Sequence, residues 1–290
     1  MSPISKPDLL AAIVAATRHD VEYREQKRSY KEIESLAVKV LPRVETFRAA
    51  LTKEQGFNVI AECKQRSPIR GVLRAHYQPD LIAIDYAKAG AVAISVLTEP
   101  AFFSGSLNDL ALVRDTVELP LLCKDFIVSS YQIVEALESG ADAVLLIVSA
   151  LDDETLGLLI QTAGNYGMSA LVEVHDGVEL SRAVDAGADI IGVNNRNLRT
   201  LDVNLEASQL LISKIPKSII TVSESGIKTH QDLVCLHEAG YDAFLVGESL
   251  MTKPSPGKAL QDLLSNKTIV GLKSDVSGLV QTGDNNNGEG

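Results

Sequence analysis

One short phrase, a helix end followed by glycine and an apolar run, occurs four times in the chain: KAGAVAISV from Lys88, ESGADAVLLIV from Glu138, DAGADIIGV from Asp185 and EAGYDAFLV from Glu238. The glycines fall at 90, 140, 187 and 240, at intervals of 50, 47 and 53 residues. A single βα unit takes roughly 25 to 30 residues with its helix, so each interval has room for a second strand. Those strands are visible as PLLCKDFIV (120–128), MSALVEVHD (168–176) and SIITVSESG (218–226), and NVIAECK precedes the first phrase. Continuous apolar strands alternating with amphipathic segments such as YQIVEALESG imply a parallel sheet covered by helices. Eight of them predict the α/β class and a closed (β/α)8 TIM barrel. A doubly wound open sheet is the rival, against which stands the lack of G-x-G-x-x-G after the first strand.

Residues 1–56 precede the first strand. Their spacing predicts helices over Leu9 to about Lys27, Ser29 to about Lys39 and Arg43 to Leu51, an extension expected to pack on the barrel mouth. The barrel itself is placed at 57–265. The polar, glycine-rich segment 266–290 reads as a largely disordered tail. The apolar stretch from Leu9 to Ala16 is short, preceded by Asp8 and without a basic leader, so it reads as a helix face, and nothing else approaches a membrane span.

Twenty-seven basic against 38 acidic residues leave a net charge of −11, which argues against a nucleic-acid or anionic-membrane partner. An anionic small molecule must therefore find a local basic pocket. Cys63, Cys123 and Cys235 are widely spaced, so no disulfide framework or zinc site is suggested and a reducing cytoplasm is the natural compartment.

In a barrel of this kind chemistry sits at the C-terminal strand ends. The first strand ends in Glu62 and Lys64, the third in Lys124 and Asp125, and the fifth in Glu173 and His175. The sixth ends in Asn194, Asn195 and Arg196, the seventh in Ser223, Glu224 and Ser225, and the eighth in Gly247, Glu248 and Ser249. One such residue would be an ordinary solvated loop start. Three carboxylates and two ammonium groups in one cleft are expensive to desolvate, and buried ion pairs give little net stability, so catalysis is the better explanation. SESGI (223–227) and VGESL (246–250) add glycine and serine where barrels commonly bind phosphate. Each alone would read as an ordinary capped βα turn. His175 has no partners at ligand spacing, so no metal site is called for. Alternation turns Cys63 and Cys123 away from the mouth.

The phrases IAECKQRSPIRG, AISVLTEPAFFSGSLNDL, PLLCKDFI, LVEVHD, IIGVNNRNLRT, VSESGI and VGESLM, in that order over about residues 9 to 265, resemble the indole-3-glycerol phosphate synthase family. Cys63 and Gln65 beside Lys64, and Cys123 where the family usually has arginine, are departures that bear on substrate affinity. The resemblance implies ring closure of 1-(2-carboxyphenylamino)-1-deoxyribulose 5-phosphate to indole-3-glycerol phosphate with loss of CO2 and water, in tryptophan biosynthesis. It implies catalytic positions at Glu62, Lys64, Lys124, Glu173, Asn194, Glu224 and Ser225, with Lys124 the acid at the ketone. Phosphate contacts carry over to Ser67, Arg196, Gly226, Gly247 and Ser249. Phe103, Leu122, Phe126, Leu145 and Val246 are plausible walls for the aromatic ring. No cofactor is required and a monomer is expected. A lysine with a pKa brought toward neutrality would be the more useful acid. The alternatives are another phosphate-binding barrel enzyme, such as a phosphoribosyl-anthranilate isomerase or a Schiff-base aldolase, or a metabolite-binding pseudoenzyme.

Overall fold

The computed structural model describes residues 9–37, 46–54, 56–197 and 202–265. The expected tail at 266–290 lies outside them, as do Lys39 and Arg43 of the expected helix bounds. Eight parallel strands close into a barrel: β1 (Asn58–Cys63), β2 (Ala93–Leu97), β3 (Leu121–Lys124), β4 (Ala143–Ile147), β5 (Ser169–Val174), β6 (Ile190–Asn194), β7 (Ile220–Glu224) and β8 (Ala243–Val246), each paired with its neighbour in sequence and β8 with β1. A small antiparallel hairpin, Arg66–Ser67 with Gly71–Val72, follows β1.

The repeated glycines do what the phrase requires. Gly90, Gly140, Gly187 and Gly240 all have positive φ, from +86° to +111°, a backbone that ends a helix and turns the chain into the next strand. After Gly140 and Gly240 the aspartate two residues further on has a task that the pattern alone does not reveal. Asp142 Oδ2 accepts the Leu121 N–H at 2.8 Å and Asp242 Oδ2 accepts the Thr221 N–H at 2.8 Å. Each ties the start of one strand to the start of its neighbour.

Along the strands, successive side chains face opposite ways. Val59, Ala61 and Cys63 join the layer between barrel and helices, as do Leu121 and Cys123. Ile60, Leu122, Leu171 and Val222 face inward, each fully buried.

The N-terminal helices are α1 (Leu9–Lys27), α2 (Tyr30–Ala37) and α3 (Phe47–Ala50). Leu10 and Ile13 of α1 reach the mouth, where with Leu9 they line a small cavity shared with Lys64, Phe103 and Phe126. The Arg24 guanidinium holds the Glu135 carboxylate with both oxygens engaged, at 2.9 to 3.1 Å, which fixes α1 on the helix Ser130–Glu138. The expectation that the whole extension packs on the mouth fails for α3. Arg48 pairs with Asp189 at 2.5 Å, just ahead of β6, and Asn58 Nδ2 donates to the Leu51 carbonyl at 2.9 Å. Phe47 and Leu51, both buried, therefore plug the opposite, N-terminal end of the barrel.

Candidate active site

Strand register builds the site. Glu62 is level with Ser95, Ser95 with Leu122, Leu122 with Ala143, Leu145 with Leu171, and so on around the sheet. The inward residues thus step two positions per pair of strands, as in a barrel of shear number about 8. Side chains from the odd strands consequently share layers. Ile60, Leu122, Leu171 and Val222 form one. Two residues higher, Glu62, Lys124, Glu173 and Glu224 form the next, and it is entirely ionisable.

This layer floors a cavity of about 550 Å3 at the C-terminal strand ends. Lys124 Nζ stands 3.7 Å from Glu173 Oε2 and 3.8 Å from Glu224 Oε2. Lys64 Nζ donates to Glu62 Oε2. Glu62, Glu173 and Glu224 are 3%, 1% and 1% exposed, so these charges meet in a dry floor. None of the four oxygens of Glu173 and Glu224 has a hydrogen-bond partner. Orphaned buried carboxylate oxygens are costly, and four aimed at one cavity mark a site built for a ligand rather than for stability.

Two glycines make room for this floor. A Cβ on Gly192 would lie 2.1 Å from Glu224 Oε1, and one on Gly247 would lie 1.9 Å from Glu62 Oε2. Neither position has positive φ; the requirement is space. Gly247 is named above for phosphate contact, whereas Gly192, in the middle of an apolar strand, carries no sequence signal beyond being a glycine where the other strands have bulk.

The charges set one another's proton affinity. Burial works to lower the Lys124 ammonium, but Glu173, Glu224 and Glu62 outweigh it and push Lys124 up to about 12. The expectation of a lysine near neutrality is therefore overturned: its neighbours here are anions, not cations. Burial and the adjacent Glu173 push Glu224 up to about 8. Burial also acts to raise Glu62, yet Lys64 and Lys124 hold it below the usual carboxylate range. Asp125, at the cavity edge and accepting the Thr98 hydroxyl at 2.7 Å, is pushed up to about 6 by burial.

The remaining candidates divide. Asn194, Arg196, Ser225, Gly226, Gly247 and Ser249 line the same cavity. Ser249 Oγ donates to the Ile227 carbonyl at 2.8 Å. Ser67 lines the adjoining small cavity and its Oγ accepts the Arg70 N–H at 3.1 Å. Phe103, Phe126 and Leu145 form an apolar wall, the two rings 6.1 Å apart. Leu122 does not line it: it sits one layer down, in the packed core. Val246 borders the cavity, but its side chain packs in the outer layer, and Leu245 is the β8 side chain that faces inward.

Three residues have roles that the sequence reading of the site did not assign. Asn195 Nδ2 reaches Ser223 Oγ and the Glu224 and Ser225 carbonyls at 2.9 to 3.2 Å, while its Oδ1 accepts the Ser208 N–H. It braces the turn in which Ser225 and Gly226 both take positive φ, +65° and +86°. Glu99 accepts the N–H groups of Ala101, Phe102 and Phe103 and so sets Phe103 against the wall. Glu248 bridges Arg70, at 2.7 Å, and Arg196, at 3.2 Å. Asn195 and Glu248 are visible as polar strand ends, but their partners lie in other loops.

Fold and site together define a (β/α)8 barrel with an acid–base cluster at its C-terminal face. Solved structures with a similar fold include 3-hexulose-6-phosphate synthase from Salmonella typhimurium (TM-score 0.58, 12% identity, 71% of this chain and 96% of that one) and N-acetylmannosamine-6-phosphate 2-epimerase from Clostridium perfringens (TM-score 0.55, 16% identity, 72% and 93%). At such identities they speak for the fold alone. The family is given by sequence: residues 10–263 match the indole-3-glycerol phosphate synthase family model, and the chain belongs to that family. An indole-3-glycerol phosphate synthase of Sulfurimonas denitrificans is 48% identical over 257 residues (88% of this chain, 98% of that protein), and one of Koribacter versatilis is 46% identical over 257 residues (88% and 98%).

Proposed function

We propose that the chain is an indole-3-glycerol phosphate synthase, closing the indole ring of 1-(2-carboxyphenylamino)-1-deoxyribulose 5-phosphate with release of CO2 and water. The observation that carries the reading is the ionisable layer of Glu62, Lys124, Glu173 and Glu224, buried at the mouth with orphaned oxygens. Residues 57–265 serve as the catalytic barrel. Arg196 and the turns at Ser225, Gly226, Gly247 and Ser249 anchor the phosphate, with Ser67 alongside, and Phe103, Phe126 and Leu145 receive the aromatic ring.

Attack of the ring carbon on the ketone builds negative charge on its oxygen. Lys124, held cationic by its carboxylate neighbours, stabilises that charge and donates a proton to it. An alkoxide is a stronger base than a lysine amine, so the raised pKa does not prevent the transfer. Loss of CO2 then restores aromaticity of the benzene ring. Lys64 first binds the substrate carboxylate and, paired with Glu62, protonates the departing hydroxyl; Glu62 takes the remaining ring proton. Glu173 offsets cationic character in the intermediate. Glu224, protonated at neutral pH, donates to a substrate hydroxyl, and Asn194 orients the same chain of hydroxyls.

The charged state of Lys124 disfavours the Schiff-base alternative, which needs a free amine as nucleophile. The test is to supply the carboxyphenylamino-deoxyribulose phosphate and follow indole fluorescence together with CO2. Folded protein that yields neither fails this reading, and borohydride trapping of substrate would favour the aldolase.

A further inference from the structure

Two buried carboxylates, Glu173 and Glu224, compete for one ammonium at nearly equal distance, 3.7 and 3.8 Å. What distinguishes them lies behind Glu173. His175 follows it by two residues on the same strand face, and its Nε2 stands 3.4 Å from Glu173 Oε1. On its other side the imidazole is clamped. Glu179 Oε2 accepts both the His175 backbone N–H, at 2.8 Å, and ring Nδ1, at 3.0 Å. A carboxylate only accepts, so Nδ1 carries a proton. Nε2 is then either a lone pair facing an anion, which is repulsive, or an N–H facing it, which is attractive. His175 Nε2 and both Glu173 oxygens are buried without another hydrogen-bond partner.

We propose that His175, clamped by Glu179, is a positioning residue that makes Glu173 rather than Glu224 the anionic partner of Lys124. The inference rests on the proposed reaction only for its kinetic test. Burial favours the neutral imidazole, but the bond to Glu179 and the charge of Glu173 outweigh it and raise His175 above its ordinary value. The titratable groups facing the imidazole are Glu173 on β5, Glu179 on the helix Gly177–Asp185 and Glu224 on β7, with Lys124 of β3 on the far side of Glu173; the short turn Val148–Ala150 brings none, and Lys214 approaches the helix start at Gly177. The floor is then balanced pair by pair: Lys64 with Glu62, Lys124 with Glu173, His175 with Glu179, and Glu224 neutral.

Two measurements test this. In the ligand-free protein, the imidazole titration of His175 is followed by NMR in wild type, Glu173→Gln and Glu224→Gln. Removing the Glu173 charge is expected to lower the midpoint by about one pH unit, and Glu224→Gln to change it by much less. Kinetically, His175→Gln is expected to move the acid limb of kcat/KM upward by about one pH unit, because Glu173 then loses the imidazole beside its Oε1, with KM within about twofold. Glu179→Gln should shift the limb the same way by less. Equal responses of the imidazole to Glu173→Gln and Glu224→Gln, or an acid limb unmoved in folded His175→Gln, overturn the proposal. If wild type does not turn over the substrate, the proposed function fails and the imidazole titration alone decides this inference. If His175→Gln does not fold, the titration and Glu179→Gln decide it.

Discussion

Two layers of the barrel, one above the other on the same four strands, have opposite chemistry. Ile60, Leu122, Leu171 and Val222 are apolar and fully buried. Two residues on, Glu62, Lys124, Glu173 and Glu224 are ionisable, and the three carboxylates are nearly as buried. Backbone geometry and inward direction are the same in both, so what separates them is the cavity above. The lower layer is closed on all sides and stabilises the fold by burial. The upper has one open face, and its orphaned oxygens are tolerable only where a ligand can complete them. The packed core and the candidate site are thus two residues apart along each of these four strands.

The sharpest way to break this contrast is to swap effects between the layers. Lys124→Ala should lower kcat by at least about 10^3-fold while circular dichroism shows a folded barrel. Its counterpart below, Leu122→Ala, should lose about 2 to 5 kcal/mol in urea denaturation with kcat and KM near wild type. A raised KM for Leu122→Ala would place that side chain in the ring pocket after all, contrary to its position in the lower layer. A smaller effect is expected at the glycines that give the upper layer its space. With a Cβ 1.9 Å from Glu62 Oε2, Gly247→Ala should displace the carboxylate and cut kcat by about 10^2-fold. Gly192→Ala should act similarly through Glu224. Wild-type kinetics in both would mean that the carboxylates can move without consequence.

The mildest prediction concerns pH. Glu224 is raised to about 8 in the fold, above its value in an unfolded chain, so its contribution to stability is full below about pH 4.5 and is lost as pH rises through 8. Glu224→Gln removes that dependence. The melting temperature of wild type should therefore fall relative to Glu224→Gln between pH 5 and 8, and parallel curves would show that the carboxyl is not raised.

Much of this was legible in the chain. The four glycines fixed the strand count because a left-handed turn after each helix leaves a residue-type signature, and apolar runs mark strands that are buried on both faces. Glu62, Lys64, Lys124, Glu173 and Glu224 could be picked out because charges at the end of apolar runs are conspicuous. Less legible was depth: Leu122 and Leu145 look alike in sequence, yet only Leu145 reaches the cavity, since strand ends are staggered around the barrel. Nor could α3 be placed, because a short amphipathic helix carries no mark of which end of a barrel it closes.

By itself, then, the sequence determined the fold, the face on which chemistry would gather and the residue types available there, all of which follow from periodicity and local turn geometry. Only the tertiary structure decided which charges meet and what those meetings do to them. Lys124 is pushed up rather than down because three carboxylates from three other strands surround it. Glu173 and Glu224, indistinguishable as letters, differ because a histidine held by Glu179 stands beside one of them and not the other. Proton affinity depends on distance and burial, and these are properties of the closed barrel, not of any segment within it.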